Sequence, residues 1–86
     1  MRFTMKRVEP KDGIMRDVHE DVLGRPCYIA YLRVNEQGVI SYLPDWDEKY
    51  HSLRTSTVEN FTHSNDGNCI FIETRNTVYT LERDVQ

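Results

Sequence analysis

Eighty-six residues, 38% hydrophobic and 29% charged, match an ordinary globular composition and exclude the disordered and membrane-spanning classes. The length suits one domain over residues 1–86 with a single modest core. A net charge of −3 supplies no basic footprint for duplex DNA or RNA, and it is too small to mark a nucleic-acid mimic.

No run approaches the roughly 20 apolar residues of a membrane span. The opening MRFTMKRVEPKDG lacks the apolar core of a secretory signal. A cytoplasmic protein without membrane contact is expected. In that compartment Cys27 and Cys69, both inside predicted strands, serve as small buried hydrophobes rather than as a disulfide.

In chain order, Phe3 and Met5 alternate with Arg2, Thr4 and Lys6, which predicts a first strand over Met1–Val8, an edge strand by its charge. Glu9-Pro10-Lys11-Asp12-Gly13 ends it. From Ile14 to Leu23 the period lengthens: Ile14, Val18 and Val22 recur every four residues, with Met15 and Leu23 beside them. With Asp12 as cap and Gly24 beyond the end, this spacing predicts a short amphipathic helix. Cys27–Val34 and Val39–Leu43 read as a strand pair joined by Asn35-Glu36-Gln37-Gly38, with Gly38 at the position that needs a positive φ. Pro44 stops the second strand. Leu53–Val58 is a Thr-rich strand continuing irregularly to Phe61, and Asp66-Gly67 predicts a type I′ turn after it.

The run Cys69-Ile70-Phe71-Ile72 then reads as the central strand, covered on both faces. With Asn76 left-handed, a three-residue loop would pair Phe71 with Tyr79 and Ile72 with Val78; a two-residue loop at Arg75-Asn76, which pairs Ile72 with Tyr79 and Ile70 with Leu81, is preferred because it leaves Glu73, Thr80 and Glu82 on the polar face. The expected fold is therefore α+β: a small antiparallel sheet of five or six strands, curled or half-closed into a barrel, with one helix after the first strand.

Thr55-Ser56-Thr57-Val58, a glycine-bearing turn, and Ile72-Glu73-Thr74-Arg75-Asn76-Thr77-Val78-Tyr79-Thr80-Leu81 form a closing pattern. It resembles small β-rich accessory proteins of bacterial phages and mobile elements. Leu23-Gly24-Arg25 and the hairpin after it are similar in layout, so the resemblance covers the last sixty residues or so. It implies a phage or prophage origin and carries no catalytic residue over. By analogy with anti-CRISPR inhibitors, it implies a protein that binds and inhibits a host or defence protein.

Motifs for catalysis are thin. His19-Glu20 has Leu23 where a zinc protease needs its second histidine, so the pair reads as solvated surface. Asp45, Asp47 and Glu48 lack the glycine and bidentate glutamate of a calcium loop. Cys27, Cys69, His51 and His63 have the residue types for zinc but none of the knuckle spacings. Both cysteines lie among apolar or aromatic neighbours, a poor setting for a thiolate nucleophile. Four glycines include no phosphate-cradling pair. The chain is expected to be no enzyme and to need no cofactor or metal.

The functional expectation falls on the segment after Pro44. Trp46, the only tryptophan, and Tyr50 stand among Asp45, Asp47, Glu48, Lys49, His51 and Arg54, an arrangement like an aromatic anchor inside a polar rim. The competing reading folds Trp46 back to plug one end of the sheet, a common job for a lone Trp in a small β domain. The expected protein-binding set is Asp45, Trp46, Asp47, Glu48, Tyr50, His51 and Arg54, in a monomer or homodimer. Two alternatives stand beside it. One is a barrel sequestering a small signalling ligand with Arg25, Arg33, Arg54 and Arg75 converging on a pocket; the other is an assembly protomer that covers an exposed edge strand in a symmetric oligomer.

Overall fold

The hairpin at the C-terminal end sets the pattern for the whole molecule. In a computed structural model that describes residues 1–84, strand β5 (Cys69–Thr74) pairs antiparallel with β6 (Thr77–Arg83), with Ile70 opposite Leu81 and Ile72 opposite Tyr79. That is the expected register, and all four side chains are buried. The two-residue loop is also as expected, but its mechanism differs. Among the described residues only Asn35 is a non-glycine with positive φ, so Asn76 is not left-handed. The loop is instead held from outside. Arg75 N–H donates to the Thr57 carbonyl at 2.9 Å, and the Lys11 N–H donates to the Asn76 carbonyl at 2.8 Å. Asn76 N–H donates to Ser56 Oγ at 3.1 Å, and the Thr74 hydroxyl accepts from Thr77 N–H at 3.1 Å. Neighbouring strands thus provide the geometry that a left-handed residue would otherwise provide.

The other strands are β1 (Phe3–Pro10), β2 (Pro26–Tyr31), β3 (Gln37–Tyr42) and β4 (His51–His63). Each pairs antiparallel with the next, and β6 returns to β1, closing a six-stranded barrel. This corrects two expectations. The first strand has neighbours on both sides and is no edge strand. The fold is essentially all-β, not α+β, because the helical segment is reduced to α1, six residues from Asp17 to Val22.

The stagger of the strands explains the length of β4. From Phe3 the register passes through Cys27 and Tyr42 to His51, the start of β4. From Met5, going the other way, it passes through Leu81 and Ile70 to His63, the far end of the same strand. A closed barrel has to absorb such a shear somewhere, and a 13-residue strand with a bulge at Val58/Asn60 absorbs it here.

Closure also fixes which face of each strand is dry. Met5, Ile40, Val58, Ile72 and Leu81 fill the interior. Phe71, between two buried isoleucines, points outward and is 38% exposed, so β5 is not covered on both faces. A barrel strand has one interior face, and an apolar run along it necessarily shows every second side chain to water.

The helix falls short for a local reason. Asp12 does not cap it; its Oδ1 accepts from Ile14 N–H at 2.9 Å and its carboxylate pairs with Arg16 at 2.7 Å. This holds residues 12–16 in a turn and loop outside the helix. Only His19 and Val22 reach the core, where they cover one end of the barrel, while Ile14, Met15, Val18 and Leu23 remain exposed. An isolated helix this short owes its stability to what it packs on, and the barrel end accepts two side chains.

Two further turns depart from expectation. In the β2–β3 connection the left-handed residue is Asn35, φ 72°. Gly38 serves close approach instead: a Cβ there would lie 3.2 Å from Thr55 Oγ1, the atom that accepts the Gly38 N–H at 2.9 Å. In the β4–β5 connection only Gly67 has positive φ. A type I′ turn needs both central residues there, so that assignment fails. Ser64 accepts from Gly67 N–H at 3.0 Å, and Asp66 Oδ1 accepts from the Ser64 hydroxyl and from Asn68 N–H.

Candidate functional site

The residues singled out by sequence gather at the barrel end that α1 covers, with one exception. Strand β3 stops at Tyr42, and Pro44, fully buried, anchors the crossing to β4. Leu43 is held at both backbone groups: its N–H donates to the Pro26 carbonyl at 2.9 Å, and its carbonyl accepts from Arg25 Nε at 2.8 Å. The segment after Pro44 therefore leaves a fixed point, and Trp46 emerges from it.

Trp46 is 60% exposed, which rules out the plug. It is nonetheless held. Its Nε1–H donates to Asp21 Oδ1 from α1, and its ring lies 4.7 Å from that of His51 at a tilt of 59°. Asp21 also accepts from the Tyr42 hydroxyl at 2.9 Å. One carboxylate thus ties the helix, the end of β3 and the indole together. Burial, with the hydrogen bond to Asp21, pushes the Tyr42 phenol up to about 12, so its proton stays in that bond at neutral pH.

His51 is fixed from the opposite side, its Nε2 lying 2.9 Å from Asp47 Oδ2. That hydrogen bond, reinforced by the Lys49 and Glu48 backbone N–H groups, holds the Asp47 carboxyl below the usual carboxylate range. Tyr50 is 43% exposed and packs on Tyr28, 41% exposed, with ring centroids 5.4 Å apart. Trp46, His51, Tyr50 and Tyr28 offer aromatic surface with few rotors left free, which lowers the entropy lost on binding.

Asp45, Trp46, Asp47, Glu48, Tyr50 and His51 all belong to this one segment and the first residue of β4. Arg54 is the exception. Leu53 and Thr55 point inward, so Arg54 faces outward, beside Tyr31, Glu36, Gln37 and Val39. The sequence reading missed Asp21, Tyr42 and Tyr28. Tyr28 and Tyr42 fall inside the predicted strand pair and Asp21 inside the predicted helix, and local pattern marks none of them as part of a site. No sequence spacing links position 21 to position 46; closure of the barrel does.

His19 is a further correction. Far from solvated, it is buried, with its Nδ1 accepting the Arg16 N–H at 3.2 Å and its ring edge-on to Tyr79 at 6.5 Å. Burial and the nearby Arg16 charge lower its pKa, so it sits neutral as a structural residue.

Cys27 is fully buried and Cys69 partly so; both are free thiols. Burial pushes the Cys27 thiol up to about 12, which disqualifies it as a nucleophile at neutral pH. Among the described residues no three His, Cys, Asp or Glu side chains are grouped to hold a metal ion. Of the arginines expected to converge, Arg25, Arg54 and Arg75 lie apart. Arg25 lines a cleft beside α1, Arg54 a depression with Tyr31, and Arg75 one with Lys11 and Asp12. No described helix is long and apolar enough to cross a membrane. Comparison with protein-family models, curated proteins and solved structures finds no match to this chain.

Proposed function

We propose that this chain is a non-catalytic accessory protein that binds and inhibits a host or defence protein in the cytoplasm, using the Trp46 surface. The observation that carries the reading is the combination at Trp46: a large aromatic ring, 60% exposed, yet locked by Asp21 and His51. A side chain that is neither core nor mobile is the kind that forms a binding hot spot, since most of its ordering cost is met before the partner arrives. The phage-type origin rests on the resemblance of the Thr55–Val58 and Ile72–Leu81 segments alone.

The ligand-sequestering alternative loses its support, because Arg25, Arg54 and Arg75 line separate depressions and side chains fill the interior. The edge-covering protomer loses its motive at β1, which is paired on both sides.

The test is co-purification from host lysate with wild-type protein and with Trp46→Ala, followed by affinity measurement on any protein retained. Wild type is expected to hold a partner that Trp46→Ala binds at least about 2 kcal/mol more weakly. Equal retention by both proteins would refute the assignment of the surface.

A further inference from the structure

Charges on this barrel are unevenly compensated. Over much of the surface, carboxylates sit in ion pairs: Asp84 with Arg2, Glu82 with Lys6, Glu59 and Glu73 with Lys11, and Asp12 with Arg16. Around α1 and the Trp46 segment the pattern breaks. Among the described residues Glu9, Glu36 and Asp66 also lack an ion pair but stand singly on separate elements, whereas five such carboxylates collect here: Asp17, Glu20, Asp21, Asp45 and Glu48. Four of them, Asp17, Glu20, Asp21 and Asp45, line one open cleft of about 300 Å³ with Leu23 and Arg25. Arg25 is the single cation there, and its Nε is committed to the Leu43 carbonyl.

The same place carries apolar surface. Leu23 in the cleft wall is 41% exposed, and Trp46 stands at its rim, tied to the cleft by Asp21. With its N–H already occupied, the indole offers its ring to a partner. Building on the Trp46 surface as the binding face, we propose that this cleft takes a protein segment presenting lysine or arginine beside an apolar side chain. An ammonium or guanidinium gains over the indole ring and from charge-assisted hydrogen bonds to the carboxylates, while the apolar neighbour covers Leu23. A neutral or acidic segment of the same shape would strip water from four carboxylates and return no charge for it. The aromatic face supplies contact, and the uncompensated carboxylates select the sign of the partner.

The experiment uses three blocked peptides as probes: acetyl-Leu-Arg-Arg-Leu-amide, acetyl-Leu-Lys-Lys-Leu-amide and acetyl-Leu-Glu-Glu-Leu-amide. Binding to every protein is measured by titration calorimetry and, wherever Trp46 is present, also by its indole N–H resonance and fluorescence. Variants are Trp46→Ala and the triple substitution Asp17→Asn, Glu20→Gln and Asp45→Asn, which leaves Asp21 in place to hold the indole; unchanged melting verifies their folding. The two basic peptides are expected to shift the indole resonance, and their affinity should fall by about tenfold from about 50 mM to about 500 mM salt. The triple variant should bind them at least about tenfold more weakly. Equal binding of the acidic peptide, or wild-type affinity in the triple variant, would overturn the cleft's charge selection while leaving the Trp46 surface standing. Full binding by Trp46→Ala would reduce the effect to general charge attraction and overturn it as well. No response of the indole to any peptide would overturn both this inference and the function on which it rests.

Discussion

The assignment of inside and outside along β5 can be tested with one pair of substitutions. Ile72 is 1% exposed and Phe71, its chain neighbour, is 38% exposed. Ile72→Ala removes three carbons, worth about 0.8 kcal/mol each in transfer free energy, or about 2.4 kcal/mol together. An incompletely collapsed cavity of about 50 Å³ at about 24 cal/mol per Å³ adds about 1.2 kcal/mol. The expected loss of about 3.5 kcal/mol is large against the roughly 4–13 kcal/mol that 0.05–0.15 kcal/mol per residue gives a chain of this length. It corresponds to a fall in Tm of about 15–25 °C. Phe71→Ala removes a larger side chain but leaves no interior void, and is expected to cost less than about 1.5 kcal/mol. Urea titration of wild type and both variants, with m held common, measures the difference. If Phe71→Ala costs as much as Ile72→Ala, β5 is covered on both faces and the barrel reading of this strand is wrong.

Trp46 should emit as a water-exposed indole and be readily quenched by acrylamide, and Trp46→Ala should stay within about 1 kcal/mol of wild-type stability; a blue-shifted, poorly quenched emission would restore the core plug. The lowered pKa of His19 makes stability depend on pH with a definite sign. The folded state resists protonation, so the contribution is complete above the unfolded value of about 6.5 and declines as pH falls through it towards the folded value. His19→Gln, which retains a hydrogen-bond acceptor for the Arg16 N–H, should flatten that part of a Tm profile between about pH 7.5 and pH 5, and an unchanged slope would place the titration elsewhere. Cys27, with its thiol near 12 and no exposed surface, should react with a disulfide reagent only after unfolding; prompt labelling of both cysteines in the native state would contradict its burial.

Much of this molecule is readable from local pattern. The six strands, the pairing of Ile70 with Leu81 and Ile72 with Tyr79, and the stop at Pro44 follow from alternation, β-branched content and turn residues, which act within a few positions of the chain. The Asp45–His51 segment was equally legible, because a lone Trp among charges after a strand-ending proline is a local signal. What local pattern could not decide was anything set by a distant neighbour. Ile14, Val18 and Val22 have helical spacing, yet the Asp12–Arg16 pair and the small barrel end leave α1 only His19 and Val22 to bury. Asn76 has the right chemistry for a left-handed turn, but Thr57, Ser56 and Lys11 hold the loop without one. Phe71 is as apolar as Ile72 and still faces water, because closure of β6 onto β1 gives each strand a single interior. The Trp46 surface divides in the same way. Trp46 announces itself in the sequence, whereas its lock, Asp21, lies on another element 25 positions away. Only the closed barrel, folding α1 over its end, brings that carboxylate to the indole, because the contact is made through space and leaves no period along the chain.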